Sequence, residues 1–212
     1  MGLVNRGVVR VSGEDARGFL DNLLTNSMEC VSPGHAVHTA LLTPQGKLIA
    51  EFFVTEAAAE DGGGFYCDVP LIAAAELAKR LTFYKLRAKV AVENLSEELG
   101  VVALFGGEAD PADLGIAFAD PRLPALGVRV IAHQSQTEAV IESLGAIAVE
   151  GADYHAHRAR LAIGEAGLDF TIGDTFPHEI NMDQLGGVDF PKGCYVGQEV
   201  VSRMQHRGTA RT

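Results

Sequence analysis

The sequence predicts an α+β fold built from short strands, local hairpins and a few amphipathic helices. Predicted strands outnumber predicted helices, and hairpins are mixed with helices along the chain. A hairpin is clearest around residues 43–46, Thr-Pro-Gln-Gly, because proline and glycine are typical of a turn between two strands. A doubly wound sheet would instead alternate one strand with one helix throughout.

The helices of the first half are predicted from capping residues and apolar spacing. Ser12 and Asp15 resemble a capping signal for a helix at residues 14–24, whose apolar side chains recur at helical intervals. Pro70 suits the start of a second helix at residues 71–81. The strands predicted in this half lie at residues 8–11, 39–42, 48–55, 65–69, 86–93 and 101–105.

The second half contains longer irregular stretches. Prolines, glycine pairs and acidic residues predict an irregular excursion at residues 106–126. A strand is predicted at residues 128–132. Helices are predicted at residues 136–144, at residues 153–163 and from about Val196 onward.

The composition is that of a folded globular protein. Apolar residues make up 47% of the 212 residues, and no apolar run reaches the roughly 20 residues that a membrane helix requires, so no membrane partner is expected. The net charge of −11 argues against a broad electrostatic contact with nucleic acid. Because the first residues lack the apolar core of a signal peptide, the predicted location is the cytosol, hence cytoplasmic.

Three cysteines, Cys30, Cys67 and Cys194, lie far apart and form no CxxC pair. This sparse set is typical of a reducing compartment. It also falls short of the four thiolates that usually hold an iron–sulfur cluster, so a cluster would have to be shared with a partner or held transiently. The glycine pairs do not form a nucleotide-binding loop, and the histidine spacings predict no metal site.

The octapeptide at residues 192–199, Lys-Gly-Cys-Tyr-Val-Gly-Gln-Glu, is the best candidate for chemistry. A helix is predicted to begin near Val196. Free backbone N–H groups at a helix N-terminus favour thiolate, and Lys192 would act on Cys194 in the same direction. The alternative for Cys194 is an inert side chain in the core, which is the commoner position of a free cysteine.

The same octapeptide resembles the signature of the YgfZ-type folate-binding proteins, which are relatives of the T-protein (aminomethyltransferase) of the glycine cleavage system. Further blocks resemble this family in the same order and extend the resemblance to most of the chain. These blocks are residues 5–11, 19–26, 41–47, 84–90 and 158–182.

The resemblance implies a multidomain ring around a folate-sized hole, with domains interrupted in sequence. One predicted unit combines residues 1–45 with 135–212, a second unit is residues 46–134, and the family's C-terminal β-barrel would be absent from this chain. The resemblance also implies that the protein binds tetrahydrofolate and supports assembly or repair of iron–sulfur clusters in client enzymes, including tRNA-modifying ones. Its partners would be folate and either the client proteins or the assembly machinery.

The resemblance assigns roles within the octapeptide. Cys194 is the predicted reactive or ligating thiolate, and Lys192 is predicted to hold the pKa of that thiol down. Tyr195 would cover the thiol or stack on a flat ligand, while Gln198 and Glu199 would hydrogen-bond near the pocket.

Three charged residues elsewhere are further candidates for folate binding. Arg160 and Arg203 would bind the folate carboxylates, because guanidinium matches carboxylate in a bidentate fork; internal salt bridges are the alternative. Glu51 lies where the T-proteins carry an Asp-Asp pair, and a second family glutamate is replaced by Ala162. Because aminomethyl transfer uses carboxylates near the folate nitrogen, these differences favour the YgfZ type.

Two other functions stay open at this point. One is a tetrahydrofolate-dependent aminomethyltransferase or methyltransferase. The other is a non-catalytic scaffold in which the octapeptide builds a turn for docking a partner. An accessory factor is the preferred interpretation.

Overall fold

The computed structural model describes residues 2–59, 62–107 and 116–207, and it arranges their strands in two antiparallel sheets. The strands are β1 (Arg6–Ser12), β2 (Val37–Leu42), β3 (Leu48–Glu56), β4 (Phe65–Pro70), β5 (Ala91–Asn94), β6 (Leu99–Leu104), β7 (Ile116–Ala119) and β8 (Val128–His133). The larger sheet has the order β2-β3-β4-β1-β5, and the smaller sheet has the order β6-β8-β7.

Five α-helices lie within these described ranges. They are α1 (Ala16–Leu23), α2 (Leu71–Tyr84), α3 (Thr137–Ser143), α4 (Gly151–Arg160) and α5 (Gln198–Arg207). Across the described part of the chain, none of the helices combines the length and the apolar character needed to traverse a bilayer.

One face of the larger sheet is apolar and is covered by α1 and α2. Phe52 and Val54 of β3 point to this face, where they join Leu20 of α1 and Leu77 of α2 in one buried cluster. Burying a side chain of this kind contributes about 1.5–3 kcal/mol. The cluster therefore fixes β3 firmly, and β3 carries residues of the candidate site on its opposite face.

The smaller sheet packs against that opposite face. Val101, Phe118 and Ile131, one from each of its strands, join Val8 and Phe53 of the larger sheet in a second buried cluster. The other face of the smaller sheet is covered by α3. The two sheets thus share one interface, and β1 and β3 contribute to it.

Residues 161–197 contain neither a strand nor an α-helix, yet hydrogen bonds hold them to the segment between α1 and β2. Thr25 Oγ1 donates to the carbonyl of Gly187 over 2.7 Å. The Asn26 side-chain amide donates to the carbonyl of Gly186 over 2.7 Å, and the N–H of Asp189 donates to the carbonyl of Thr25 over 2.9 Å. These bonds bring the octapeptide beside the β2–β3 hairpin.

The predicted α+β class is confirmed, but one strand prediction is wrong and one helix begins later than expected. The strand expected at residues 86–93 begins only at Ala91, because Leu86 adopts a left-handed conformation with φ of 43° and turns the chain. The helix expected from about Val196 begins at Gln198, after Gly197 with φ of 85°. The excursion predicted at residues 106–126 contains β7, and its residues 108–115 lie outside the described residues.

The predicted division into two units stays a prediction, and the two sheets follow boundaries of their own. The boundary expected between residues 45 and 46 falls in the turn between β2 and β3, which are hydrogen-bonded neighbours. The larger sheet therefore mixes residues from both predicted units. The change from one sheet to the other occurs instead between β5 and β6, since β6 pairs with β8.

Candidate functional site

Lys192 anchors the octapeptide to the end of α1. Its side chain is only 3% exposed, and its Nζ donates to the carbonyls of Asp21 (2.6 Å), Leu24 (2.9 Å) and Asn26 (3.0 Å). Burial lowers the pKa of Lys192, against the charges of Asp21 and Asp189, which raise it. The three main-chain bonds give Lys192 an anchoring function, and its predicted effect on the Cys194 thiol stays a prediction.

Cys194 is exposed, and it precedes the first residue of α5 by four positions. It therefore does not lie at the helix N-terminus, as its position relative to Val196 had suggested. The next residues make a tight turn, in which a Cβ on Gly197 would come within 2.7 Å of the carbonyl oxygen of Thr43. A glycine at 197 lets the octapeptide cross the β2–β3 turn closely, and Cys194 is left facing solvent.

Tyr195 is the buried member of the octapeptide. It joins a cluster with Leu42 and Leu48 from the β2–β3 hairpin and with Met182. The ammonium of Lys192 lies 5.7 Å from the centre of its ring. Burial raises the pKa of Tyr195 to about 12, with a further contribution from the charge of Asp189. Tyr195 is therefore a neutral phenol that packs one side of the site.

A cavity of about 240 Å³ opens beside Tyr195. Its walls are aromatic, amide, hydroxyl and imidazole side chains, namely Phe190, Tyr195, Gln198, Ser202, Gln205 and His206. Behind this wall, His178 Nε2 lies 3.2 Å from Gln205 Oε1, and its buried Nδ1 has no partner among the described residues. The cavity thus offers flat surfaces and hydrogen-bonding groups, and no carboxylate lines it.

The other predicted site residues do not line this cavity. Glu199 and Arg203 are exposed on α5, one residue beyond the lining positions Gln198 and Ser202 and hence about 100° around the helix. Arg160 is exposed at the end of α4. The structure therefore brings together Tyr195 and Gln198 of the predicted set, with Cys194 next to them in the chain.

Glu51 lies on the face of the larger sheet that points toward the site, but its carboxylate is already paired with another side chain. Its Oε2 lies 2.9 Å from His38 Nε2, and each of these two side chains is 3% exposed. Burial raises the pKa of Glu51, but the hydrogen bond from His38 and the charges of His38, Arg6 and Arg122 outweigh it and lower that pKa to about 2. Glu51 is consequently an ionised, internally paired carboxylate.

A second group of charged residues, which the sequence analysis did not anticipate, joins the two sheets. Arg129 donates to Asp68 over 2.8 Å, to Asp120 over 2.9 Å and to the hydroxyl of Tyr154 over 2.9 Å. Burial alone would raise the pKa of Asp120, but Arg129 and Arg122 hold it well below its usual range. All these side chains are buried, so the group is a structural link.

The sequence analysis did not predict four of the residues that line the cavity. Helical spacing in the sequence indicates three of them. Ser202, Gln205 and His206 follow Gln198 at the i+4, i+7 and i+8 positions, which share one face of a helix. Phe190 carried no such signal. The described residues contain no group of three or more His, Cys, Asp or Glu side chains arranged to hold a metal ion.

Comparison with known proteins assigns the chain to a family. Residues 4–112, about half of the chain, match the family described as the GCVT N-terminal domain. The chain belongs to the GCVT N-terminal domain family. A crystal structure of glycine cleavage system aminomethyltransferase T from Bartonella henselae, also of this fold, superposes with a TM-score of 0.64 over 97% of this chain and 62% of that one. Its 16% identity supports the fold alone.

Curated relatives of this GCVT-family chain extend over nearly its whole length. One is the mitochondrial iron-sulfur cluster assembly factor IBA57 homolog of Mycosarcoma maydis, 33% identical over 98% of this chain and 54% of the relative. Another is the mitochondrial iron-sulfur cluster assembly factor IBA57 of Homo sapiens, 31% identical over 99% of this chain and 63% of the relative. The chain spans about half the length of the fungal relatives it matches.

These relatives confirm the expected T-protein-like family and correct the predicted location. The cytosolic prediction is wrong on this comparison, because the relatives from fungi and mammals are named as mitochondrial proteins. That prediction rested on the first residues of a chain that corresponds to only part of each relative.

Proposed function

We propose that this GCVT-family chain forms the tetrahydrofolate-binding, thiol-bearing part of a YgfZ-type factor that supports assembly or repair of iron–sulfur clusters. Its clients would be iron–sulfur enzymes, including tRNA-modifying ones. The observation that carries the proposal is the exposed Cys194, which precedes Tyr195 in the chain, where Tyr195 lines a cavity of about 240 Å³. The names of the curated relatives support the iron–sulfur part.

The cavity suits the ring end of a folate. Its volume of about 240 Å³ is below the roughly 300–1,000 Å³ of pockets that enclose a whole drug-sized ligand, so it suits one fused ring. Phe190 and Tyr195 provide aromatic surface, and the amide of Gln198 provides a donor and an acceptor for a pterin edge. Arg203, exposed one position beyond the lining residue Ser202, would meet a carboxylate of the folate tail outside the cavity.

Cys194 is the residue proposed to contact the cluster or its precursor. Cys67 is buried, and burial together with the charge of Asp68 raises the pKa of its thiol, so it stays protonated. Cys30 is exposed but lies outside the octapeptide. With so few available thiols, this chain would supply one ligand and a partner protein the others. The cluster is thus a cargo shared between two proteins.

The two alternative functions receive less support. Aminomethyl transfer needs a carboxylate near the folate nitrogen, whereas the six residues lining the cavity include none and Glu51 is paired with His38. A docking scaffold without thiol chemistry would tolerate loss of the thiol. Substitution of Cys194 therefore separates that alternative from the proposal.

Titration calorimetry of the reduced protein with tetrahydrofolate under anaerobic conditions tests the folate part. We expect saturable binding in the micromolar range, and loss of that binding in Ser202→Phe, because a phenyl group would occupy the cavity. Arg203→Ala should weaken binding less, since it removes only a contact to the tail. Absence of saturable binding, or full binding by Ser202→Phe with its fold intact, would contradict the proposed site.

The thiol part is tested by following activation of an iron–sulfur client enzyme in cells that depend on this protein. The exposed cysteines Cys194 and Cys30 form a matched pair for this purpose. We expect Cys194→Ser to abolish client activation, while Cys30→Ser leaves it unchanged and both variants fold. Full complementation by Cys194→Ser would favour the docking scaffold.

A further inference from the structure

The end of α2 forms a basic surface on an otherwise acidic protein. Residues 79–89 contain five of the seventeen Lys and Arg residues of the chain and no Asp or Glu, although the whole chain has a net charge of −11. The exposed cationic and large apolar members of this segment, called here the α2 knob, are Lys79, Arg80, Phe83, Leu86, Arg87 and Lys89. Part of the knob lies in a block that resembles the family, yet the proposed folate and thiol chemistry does not use it.

Two large apolar side chains project from the α2 knob. Phe83 is 73% exposed and Leu86 is 87% exposed. Phe83 lies in the last turn of α2, and Leu86 follows two residues after the helix ends. Neither gains the stability that burial normally gives an apolar side chain. Their position is thus unexplained by the packing of this chain.

Leu86 is also unfavourable for the backbone. Its φ of 43° lies in the left-handed region, where a glycine or asparagine would be less strained than a leucine. Because the Leu86 side chain is exposed, replacing it would remove few packing contacts. Leu86 thus leaves an apolar side chain in solvent on a strained backbone position. Such a residue points to a contact outside the chain.

The cations of the α2 knob are partly available for such a contact. Arg80 pairs with Glu76 at 2.6 Å and Lys89 with Glu14 at 2.7 Å, both on the surface. Exposed pairs of this kind are weak and exchange readily. Lys79 and Arg87 have no ion-pair partner within the residues that the structure describes. A cation near a helix C-terminus is favoured by the helix dipole, but that effect does not account for Phe83 and Leu86.

We propose that the α2 knob is a docking surface for a protein partner that presents carboxylates around an apolar contact site. Phe83 and Leu86 would insert into that apolar site. Arg87 and Lys79 would pair with the surrounding carboxylates, as expected for an interface with an apolar centre and a charged rim.

The charge distribution favours a protein over other anionic partners. The carboxylates of Glu76 and Glu14 lie among the cations, and Asp15 accepts the N–H of Lys89. A membrane surface or a nucleic-acid backbone carries closely spaced negative charge that these carboxylates and the acidic remainder of the chain would repel. A protein surface can place its carboxylates only opposite the cations.

The test uses a fluorescently labelled acidic amphipathic peptide composed of Glu, Leu and Phe, added to the full chain in low salt. The same peptide with Lys in place of each Glu is the charge control. Vesicles containing phosphatidylserine and a single-stranded RNA represent the other anionic partners. We expect saturable binding of the acidic peptide only, weakened by added salt.

Variants then locate the binding surface. Leu86→Asn and Arg87→Glu should each weaken acidic-peptide binding about tenfold or more, the size expected for loss of an interface anchor. Their controls are Ile147→Asn, an 85% exposed apolar residue elsewhere, and Lys47→Glu, a cation outside the knob; both should bind as the unaltered chain does. Leu86→Asn should also leave the melting temperature unchanged or raised.

Several results would overturn the proposal. They are equal binding of the basic peptide, no saturable binding of the acidic one, or unaltered binding by both knob variants. Binding of vesicles or RNA that is lost in Arg87→Glu would assign the knob to a membrane or a nucleic acid instead. Self-association in sedimentation runs that is lost in Leu86→Asn would assign it to a second copy of this chain.

Discussion

At the scale of single residues, Lys192 illustrates the difference between a motif and its geometry. The sequence placed it two residues from Cys194 and suggested an electrostatic effect on the thiol. In the fold, its ammonium donates to three main-chain carbonyls of residues 21, 24 and 26. This charge therefore holds the octapeptide against the end of α1.

Lys192→Met should lower the free energy of unfolding by about 2 kcal/mol, because it leaves three carbonyls without their charged donor. Urea denaturation measures this change. Lys47→Met is the matched control, since its ammonium pairs with the exposed Asp174 and lies over the Phe176 ring at the surface, so its loss should cost much less. Similar losses in both variants would show that Lys192 does not anchor the octapeptide.

At the scale of elements, the turn before α5 decides where the site is built. Gly197 has φ of 85° and crosses the β2–β3 turn so closely that a Cβ would meet the carbonyl oxygen of Thr43 at 2.7 Å. The helix that follows then directs Gln198 and Ser202 into the cavity. The close crossing at Gly197 therefore determines both where α5 begins and where the cavity forms.

We expect Gly197→Ala to destabilise the protein by about 2 kcal/mol, since it adds both backbone strain and a steric clash. It should also weaken tetrahydrofolate binding, because the cavity depends on the same turn. Gly193→Ala is the control, as a Cβ there would meet nothing within 4 Å. Thermal denaturation of the pair compares them, and a Gly193→Ala variant that is equally destabilised would count against this account.

At the scale of the whole molecule, buried charges join the two sheets. Arg129 of the smaller sheet contacts Asp68 of the larger sheet as well as Asp120 and Tyr154. Burying these charges costs desolvation free energy. Their pairing therefore contributes mainly by constraining how the two sheets are arranged. Removing a single partner leaves a buried charge without compensation.

Arg129→Met should therefore cost about 3–5 kcal/mol of unfolding free energy, because Asp68 and Asp120 lose a shared cation in the interior. Arg80→Met, which removes an exposed pair with Glu76, should leave the stability nearly unchanged. Chemical denaturation distinguishes the two. A cost below 1 kcal/mol for Arg129→Met would mean that the network does not hold the sheets together.

The sequence by itself determined the α+β class, the β2–β3 hairpin, the helical spacing of α1 and α2, and the octapeptide as the distinctive segment. These features depend on local patterns of apolar spacing and turn residues, which act between near neighbours in the chain, whereas the cap expected from Ser12 and Asp15 makes no side-chain hydrogen bond to α1.

Only the tertiary structure decided the division into two sheets, the pairing of Glu51 with His38, the anchoring of Lys192, and the cavity that combines Phe190 with α5. Each of these depends on groups that are distant in sequence or on the direction of a side chain. Burial and partner geometry set their charge and contacts, and neither is encoded in a local pattern.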